Sequence, residues 1–402
     1  MRITTTLLAL GALMAGAPAL AYDGSCRTLQ DVEELPPRHW CEVPNSRLIS
    51  VEKKPSEFDD WNGSRSAAYE SFQRTSGVDA VTDAWGGGAF DTKRNCLMVF
   101  GGGHNDYGGN EIYAFCIGEL KWKRLSDPTP FPRRHPSYQN DDGTPVSRHT
   151  YGGLAYIASV DRFFAFDGAP DDGPGTCGVR GTWTFNLAAR DEAGKYSTSQ
   201  WELRTTSNEP DYRCDNAATY DPVTDKVIFK SRATHLYDFG TNRWTTAASA
   251  ERLNSGVTLA VDLKNRMLVE VGGGVTALWS IDKNFSGGRV TTSGPKNIEN
   301  ADDPGLAYDT RLEKIVGWHG GTTVYTLDVA TRTWTAVPAA ETNRANPGSV
   351  TTQGGVFGRF AYSPDLNVYI YVDQVDDNVM LYRLTDAEPL PPPNPPTGLQ
   401  VD

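Results

Sequence analysis

Three of the six histidines stand beside a cluster of glycines. They are His104 after Gly101–Gly103, His149 before Gly152–Gly153 and His319 before Gly320–Gly321. An imidazole titrates near neutral pH, so it can accept or donate a proton in catalysis. Glycine has no side chain and lets the backbone approach a ligand closely. These positions predict a site for acid–base chemistry if the fold brings them together.

Tyrosine and arginine residues near the histidines supply complementary chemistry. Arg213 directly follows Tyr212, and Tyr151 lies shortly after His149. A guanidinium can neutralise a carboxylate through a two-point contact, and a phenol can transfer a proton. Together with imidazoles, such groups suit anion binding and proton transfer.

The loop around His104 also contains hard oxygen donors. Asp106, Asn110 and Glu111 could hold a calcium ion, although they lack the regular spacing of an EF-hand loop. The loop is not typical of phosphate binding, because no Gly-Lys-Ser/Thr sequence follows it. We therefore expect that no cofactor is required, with calcium as an option near these three residues.

An internal repeat organises the segments that must position these side chains. Each copy contains a short apolar strand, an aspartate at a turn, a second apolar strand, a glycine cluster, a tyrosine-containing strand and, in most copies, a tryptophan. The copies start at Gly88, Leu154, Thr219, Leu259, Leu306 and Phe360. Four-stranded units of this kind bury their faces only against one another, in a closed ring. The repeat predicts an all-β propeller with six blades, or with seven if Ser50–Val81 hides another.

The last copy ends without its tryptophan strand. The missing strand is predicted near the N-terminus, where His39–Pro44 is similar in sequence to Thr333–Pro338 of the fifth copy. A strand supplied from the N-terminus would close the ring and remove the open edge between the first and last blades.

The glycine pair after the second strand and the tryptophan of the fourth resemble the kelch motif, over roughly residues 38–386. This resemblance implies that two kinds of loop lie at one end of the ring: those joining strands two and three, and those leading into the next blade. His104, His149, Tyr212, Arg213 and His319 would then share that end, together with Arg359 and, near its loop, His235.

The site resembles that of propeller polysaccharide lyases such as the ulvan lyases, which use two histidines, a tyrosine and an arginine on one face. The resemblance implies β-elimination in a uronate polymer. It implies catalytic roles for His104, His149, Tyr151, Tyr212 and Arg213. We predict substrate binding by Asn105, Tyr107, Arg148, His319 and Arg359. A galactose-oxidase-like copper site is disfavoured, because the sequence has no Tyr-His dipeptide.

Two other functions stay open. The propeller could bind a glycan or a protein without catalysis. A glycoside hydrolase would need a pair of carboxylates, and Asp106 and Glu111 are the pair that the His104 loop offers.

Residues 1–21 have the features of a secretory signal peptide: Arg2, an apolar stretch, and the cleavage sequence Ala19-Leu20-Ala21. We expect a secreted or periplasmic protein with a propeller over residues 22–386 and a proline-rich tail over 387–402. An even number of cysteines fits that destination. Proximity in sequence suggests the disulfides Cys26–Cys41, Cys96–Cys116 and Cys177–Cys214.

The formal net charge of −12 bears on the partners. Sequence-independent nucleic-acid binding needs a basic surface, so this class of function is disfavoured. No segment after the signal peptide is long and apolar enough to span a bilayer. We expect a monomer whose partner is a polysaccharide or glycan.

Overall fold

The computed structural model describes residues 22–58, 65–133, 138–170, 177–179, 181–189, 200–211, 214, 216–247 and 256–386. Six four-stranded antiparallel sheets form a six-bladed β-propeller. The prediction of six blades is confirmed. The predicted signal peptide, the proline-rich tail, Tyr212 and Arg213 lie outside the described residues.

The strands of each blade follow one another outward from the central axis. Blade 1 contains Gly88–Asp91, Cys96–Phe100, Ile112–Cys116 and Lys121–Arg124. Blade 2 contains Leu154–Ile157, Arg162–Ala165, Thr182–Asn186 and Trp201–Arg204. Blade 3 contains Ala217–Asp221, Lys226–Lys230, Thr234–Asp238 and Arg243–Thr246. Blade 4 contains Val257–Asp262, Met267–Gly272, Val275–Ser280 and Ser286–Arg289. Blade 5 contains Gly305–Asp309, Lys314–Trp318, Val324–Asp328 and Thr333–Val337.

Blade 6 combines both ends of the propeller. Its strands are Phe360–Ser363, Val368–Tyr371, Met380–Arg383 and, from the N-terminal region, His39–Glu42. The N-terminal strand pairs antiparallel with Met380–Arg383. The predicted closure is therefore confirmed.

Short elements lie outside the blades. Arg148–His149 pairs with Ala169–Pro170 in a separate two-stranded sheet. The α-helices are Leu29–Glu33, Arg65–Gln73 and Ala80–Asp83. Short 3₁₀ helices cover Leu48–Val51, Pro55–Glu57, Gly77–Asp79, Ala158–Val160, Ile281–Lys283 and Phe357–Arg359.

The aspartate that recurs in the repeat stabilises the turn between the first and second strands of most blades. In blade 1, Asp91 Oδ1 accepts hydrogen bonds from the backbone N–H groups of Lys93 and Arg94, at 2.9 and 3.1 Å. A carboxylate that binds its own backbone two or three residues on stabilises a tight turn. Comparable bonds to the following turn are accepted by Asp221, Asp262 and Asp309.

The recurring tryptophans are part of the packing between and within blades. Those on outermost strands are all buried: Trp40, Trp122, Trp201, Trp244 and Trp334. Trp40 of the closing strand lies 5.6 Å from Trp318 of blade 5 and 4.7 Å from Tyr382, between ring centroids. The strand that completes blade 6 thus also fixes it to blade 5.

All three predicted disulfides are present: Cys26–Cys41, Cys96–Cys116 and Cys177–Cys214. No cysteine is left free. Full pairing of the cysteines fits an oxidising compartment. Within the described ranges, no helix has the length and apolar character needed to cross a membrane.

The six innermost strands surround a central channel that contains a cavity of about 320 Å³. Alanine recurs on the first strands around it, at Ala89, Ala155, Ala260, Ala307 and Ala361. Small side chains at these positions let the innermost strands lie close together. No histidine among the described residues lines this cavity; His104 and His149 lie in the connections outside the blade strands.

Candidate active site

The fold brings His104 and His149 together, with 5.0 Å between their ring centroids. His104 comes from the loop between strands two and three of blade 1, and His149 from the connection between blades 1 and 2. The His104 N–H donates to the Pro170 carbonyl at 2.9 Å, and the Gly102 N–H donates to the Arg148 carbonyl at 2.9 Å. These bonds fix one loop against the other.

The glycines before His104 serve this contact between loops. A Cβ atom on Gly103 would lie 2.3 Å from the Arg148 Cα atom, and a Cβ on Gly101 would lie 2.3 Å from the Arg148 carbonyl oxygen. Gly101 also has φ +117°, in the region that favours glycine. The close approach predicted for this glycine cluster is therefore an approach to protein backbone.

Asp106 holds the His149 ring. Its Oδ2 atom lies 2.9 Å from His149 Nε2, and its Oδ1 atom accepts from the hydroxyls of Thr75 and Ser76 at 3.1 and 3.3 Å. A carboxylate acceptor requires the proton on Nε2, which leaves the Nδ1 lone pair of a neutral ring unprotonated. Nδ1 is buried and has no hydrogen-bond partner among the described residues.

His149 is a neutral imidazole at physiological pH. Burial lowers its pKa to about 4, and the hydrogen bond to Asp106 opposes this effect only in part. The nearby His104 ring also disfavours a charge on His149. The two imidazoles together can therefore carry a single proton without placing two positive charges side by side.

The lowered pKa of His149 predicts a loss of stability in acid. An unfolded histidine binds a proton below about pH 6.5, whereas His149 in the folded protein resists protonation until about pH 4. The free energy of unfolding should therefore fall as the pH decreases from 6.5 to 4, by about 3 kcal/mol from this group. The free energy of unfolding, measured by urea denaturation at several pH values in this range, should depend less steeply on pH in His149→Gln than in the wild type. Identical slopes would contradict the prediction.

Two aromatic residues, Trp85 and Tyr151, adjoin His149, and a third, Phe357, packs against Tyr151. Trp85 stacks on His149 with 5.1 Å between centroids and 29° between planes. Tyr151 meets His149 edge-on at 6.2 Å and meets Phe357 edge-on at 6.3 Å. The Tyr151 N–H donates to the Trp85 carbonyl at 2.8 Å. The aromatic groups thus link three connections at the end of the ring that holds the histidines.

The backbone at this cluster is unusual. Trp85, His104, Tyr151 and Phe357 all have positive φ, between 46° and 54°. Bulky residues in the left-handed region cost about 1–3 kcal/mol each and concentrate at functional sites. Three of these residues are bulky aromatics, and all four surround His149 directly or through Tyr151, which marks this end of the propeller as the candidate site.

No family model matches this chain, and no curated protein matches it.

Three predicted binding residues are structural instead. Arg359 is fully buried and donates to Gly86 O, Val372 O, Asp373 O, Gly355 O and Thr352 Oγ1. Arg148 is fully buried, and its guanidinium donates to the carbonyls of Val146 and Asp167. Neither guanidinium can reach a substrate, because each one is enclosed by the backbone carbonyls that it binds. Burial also lowers the pKa of Arg148 to about 9.

Tyr107 is equally inaccessible. It is fully buried, packs edge-on against Phe72 at 5.8 Å and donates to Glu111 Oε1 at 2.5 Å. Tyr113 donates to the same oxygen at 2.6 Å. Tyr107 therefore cannot stack on a sugar, and it supports the loop from inside.

The three oxygen donors of the loop do not form one calcium site. Asp106 binds His149, whereas Asn110 is buried and donates to Thr129, Thr144 and Pro145. Glu111 is buried with the two tyrosines, and burial raises its pKa. No group of three or more acidic, histidine or cysteine side chains among the described residues is arranged to hold a metal.

Of the remaining predicted residues, the structure describes Asn105 and His319 but not Tyr212 or Arg213. Asn105 is partly exposed beside His104, and its carbonyl accepts from the Thr75 hydroxyl at 2.9 Å. The electrostatic neighbours of His319 are Asp302 and Asp373, whereas the partners of His104 and His149 come from blades 1 and 2. Tyr212 and Arg213 lie outside the described residues.

Sequence reasoning missed Trp85 and Phe357. Trp85 precedes Gly86–Gly88, and a tryptophan outside the repeat next to three glycines was a usable signal. Phe357 lies in a short connecting helix, and Phe357-Gly358 repeats the aromatic-glycine sequence of Tyr151-Gly152.

Proposed function

We propose that this protein is a secreted polysaccharide lyase that cleaves a uronate-containing polymer by β-elimination. The observation that carries the proposal is the contact between His104 and His149, with Tyr151 adjoining and Asp106 holding the second ring. We also propose that the propeller is of the kelch type. The glycine pairs after second strands and the tryptophans on outermost strands support that relationship.

The reaction needs a base close to the C5 proton of a uronate. A base removes this proton, its electron pair forms the C4–C5 double bond, and the C4–O bond breaks. The departing oxygen then takes a proton. His104 is the partly exposed imidazole of the pair and suits the role of base. Tyr151, also partly exposed, suits the role of proton donor to the departing oxygen.

The second imidazole favours this division of roles. His149 stays neutral because burial lowers its pKa to about 4, so it does not repel a proton that arrives on His104. Neutralisation of the substrate carboxylate needs a cation, and we propose Arg213 for it. Arg148 and Arg359, the other arginines considered, are enclosed by backbone.

A hydrolase built on Asp106 and Glu111 is less well supported. Glu111 is 2% exposed and accepts hydrogen bonds from two buried tyrosines. It therefore cannot act on a glycosidic bond beside Asp106.

The test is ultraviolet absorbance during incubation of the purified protein with a panel of uronate polysaccharides. Elimination produces an unsaturated uronate that absorbs, whereas hydrolysis and binding do not. Rising absorbance together with new reducing ends is the expected result. New reducing ends without absorbance would overturn the lyase in favour of a hydrolase. Absence of both would overturn it in favour of a binding protein.

A further inference from the structure

Trp85 is a second partly exposed aromatic side chain, besides Tyr151, that lies against the histidine pair. One side of its indole is covered by the His149 ring, 5.1 Å away. The indole edge is also confined, because a Cβ atom on Gly354 would lie 2.3 Å from Trp85 Cδ1. The residue is nevertheless partly exposed. Trp85 also packs against the hydrophobic core beneath it, so the indole is held in a fixed orientation while part of the residue stays accessible to solvent.

The backbone fixes this orientation at some cost. Trp85 has φ +46°, a conformation that a bulky residue adopts only when its surroundings enforce it. Its carbonyl accepts from the Tyr151 N–H at 2.8 Å, and its neighbour Ala84 forms a bridge with Gln353. Two other connections between blades thus fix the backbone that carries the indole.

Accessible polar groups accompany the indole. The Asp83 carboxylate accepts from the side-chain amides of Gln353 and Gln374, at 3.3 and 3.2 Å. Gln353 is exposed, and Asp83 and Gln374 are partly exposed. A flat aromatic surface combined with amide and carboxylate groups matches the two surfaces of a pyranose, its apolar C–H face and its rim of hydroxyls.

We propose that Trp85 is the stacking platform of a sugar-binding subsite, with Asp83, Gln353 and Gln374 as hydrogen-bonding partners of the sugar hydroxyls. The subsite takes a pyranose ring through its C–H face and needs no carboxylate on that ring. It adjoins the histidine pair, so it would hold a sugar of the polymer next to the one that reacts. In that last respect the inference rests on the proposed function.

The test is binding to an array of immobilised uronate-containing and neutral oligosaccharides. All proteins carry His104→Ala, so that bound chains are not consumed. Trp85→Leu is expected to lose roughly tenfold or more in affinity, because the flat ring is removed. Trp85→Phe is the matched control, because it keeps a flat ring, and it should retain most of the binding.

Three results would overturn the subsite. The first is that the His104→Ala protein binds nothing on the array. The others are that Trp85→Leu binds as tightly as the protein that retains Trp85, or that Trp85→Leu and Trp85→Phe lose the same amount of affinity. Thermal unfolding of each variant checks that the fold is intact. The test is separate from the elimination assay. Binding that depends on Trp85, without elimination, would reject the lyase and support the stacking platform. Elimination, with binding unchanged in Trp85→Leu, would support the lyase and reject the platform.

Discussion

Replacing His104 with alanine is expected to lower the rate of elimination at saturating substrate by roughly a hundred- to ten-thousandfold, the usual contribution of a positioned general base. His104 is partly exposed beside His149 and is held by the hydrogen bond from its N–H to the Pro170 carbonyl. The loop itself should survive the change, because backbone bonds and buried Tyr107 maintain it. Substrate affinity should therefore change much less than turnover.

His235→Ala is the matched control for this experiment. His235 lies on the third strand of blade 3, where its Nδ1 atom is 3.1 Å from the Thr246 hydroxyl. Its replacement removes an imidazole of the same protein without touching the histidine pair, so turnover should be unaffected. Full activity of His104→Ala, or equal losses in both variants, would show that His104 is not the base.

Removing one partner of the Lys230–Glu270 ion pair is expected to destabilise the propeller by about 3–5 kcal/mol. The side chains lie on the second strands of blades 3 and 4, form a direct ion pair and are both fully buried. Lys230 Nζ also lies 4.1 Å above the Trp279 ring, whose Nε1 donates to Glu270 at 3.2 Å. Glu270→Gln leaves the ammonium buried without its counter-ion.

A double-mutant cycle measures the pair itself. Lys230→Met removes the ammonium, so Lys230→Met/Glu270→Gln should recover about 2 kcal/mol or more relative to Glu270→Gln alone. Urea unfolding of the wild type, both single variants and the double variant provides the four values. Lys264→Met, at the exposed Lys264–Glu313 pair, serves as a surface control and should change stability little. Additive effects in the cycle would contradict the coupling.

The repeating part of the fold was predictable because each repeated residue has a local physical task. Asp91 and its equivalents bind the turn that follows them, and outermost tryptophans such as Trp244 fill the space around their strands. The closing strand was predictable because His39–Pro44 is similar to a segment of blade 5. The periodic pattern of the sequence was therefore sufficient to predict the architecture.

The site was predictable only in part, because its residues lie where the repeat is interrupted. Glycine clusters pointed to His104 and His149, which the fold brings into contact. They did not reveal that Arg359 and Tyr107 point inward, since residue type alone does not distinguish a buried arginine or tyrosine from one that faces a ligand. Trp85 was missed because it lies in a connection between blades, outside the strands that define the repeat.

The closing strand also has a consequence for how the protein is made. His39–Glu42 is synthesised before any blade, yet its hydrogen-bonding partner is Met380–Arg383, near the end of the described chain. Blade 6 must wait until nearly all of the chain is available, and contacts so distant in sequence form slowly. During this interval an unpaired strand edge is exposed to other chains. The Cys26–Cys41 disulfide, which spans a separation of 15 residues, can form long before the ring closes. Early oxidation would fold the N-terminal segment back along the outer edge of this strand, where Ser25 forms a bridge with Glu42, and would leave the edge that pairs with Met380–Arg383 free for its distant partner.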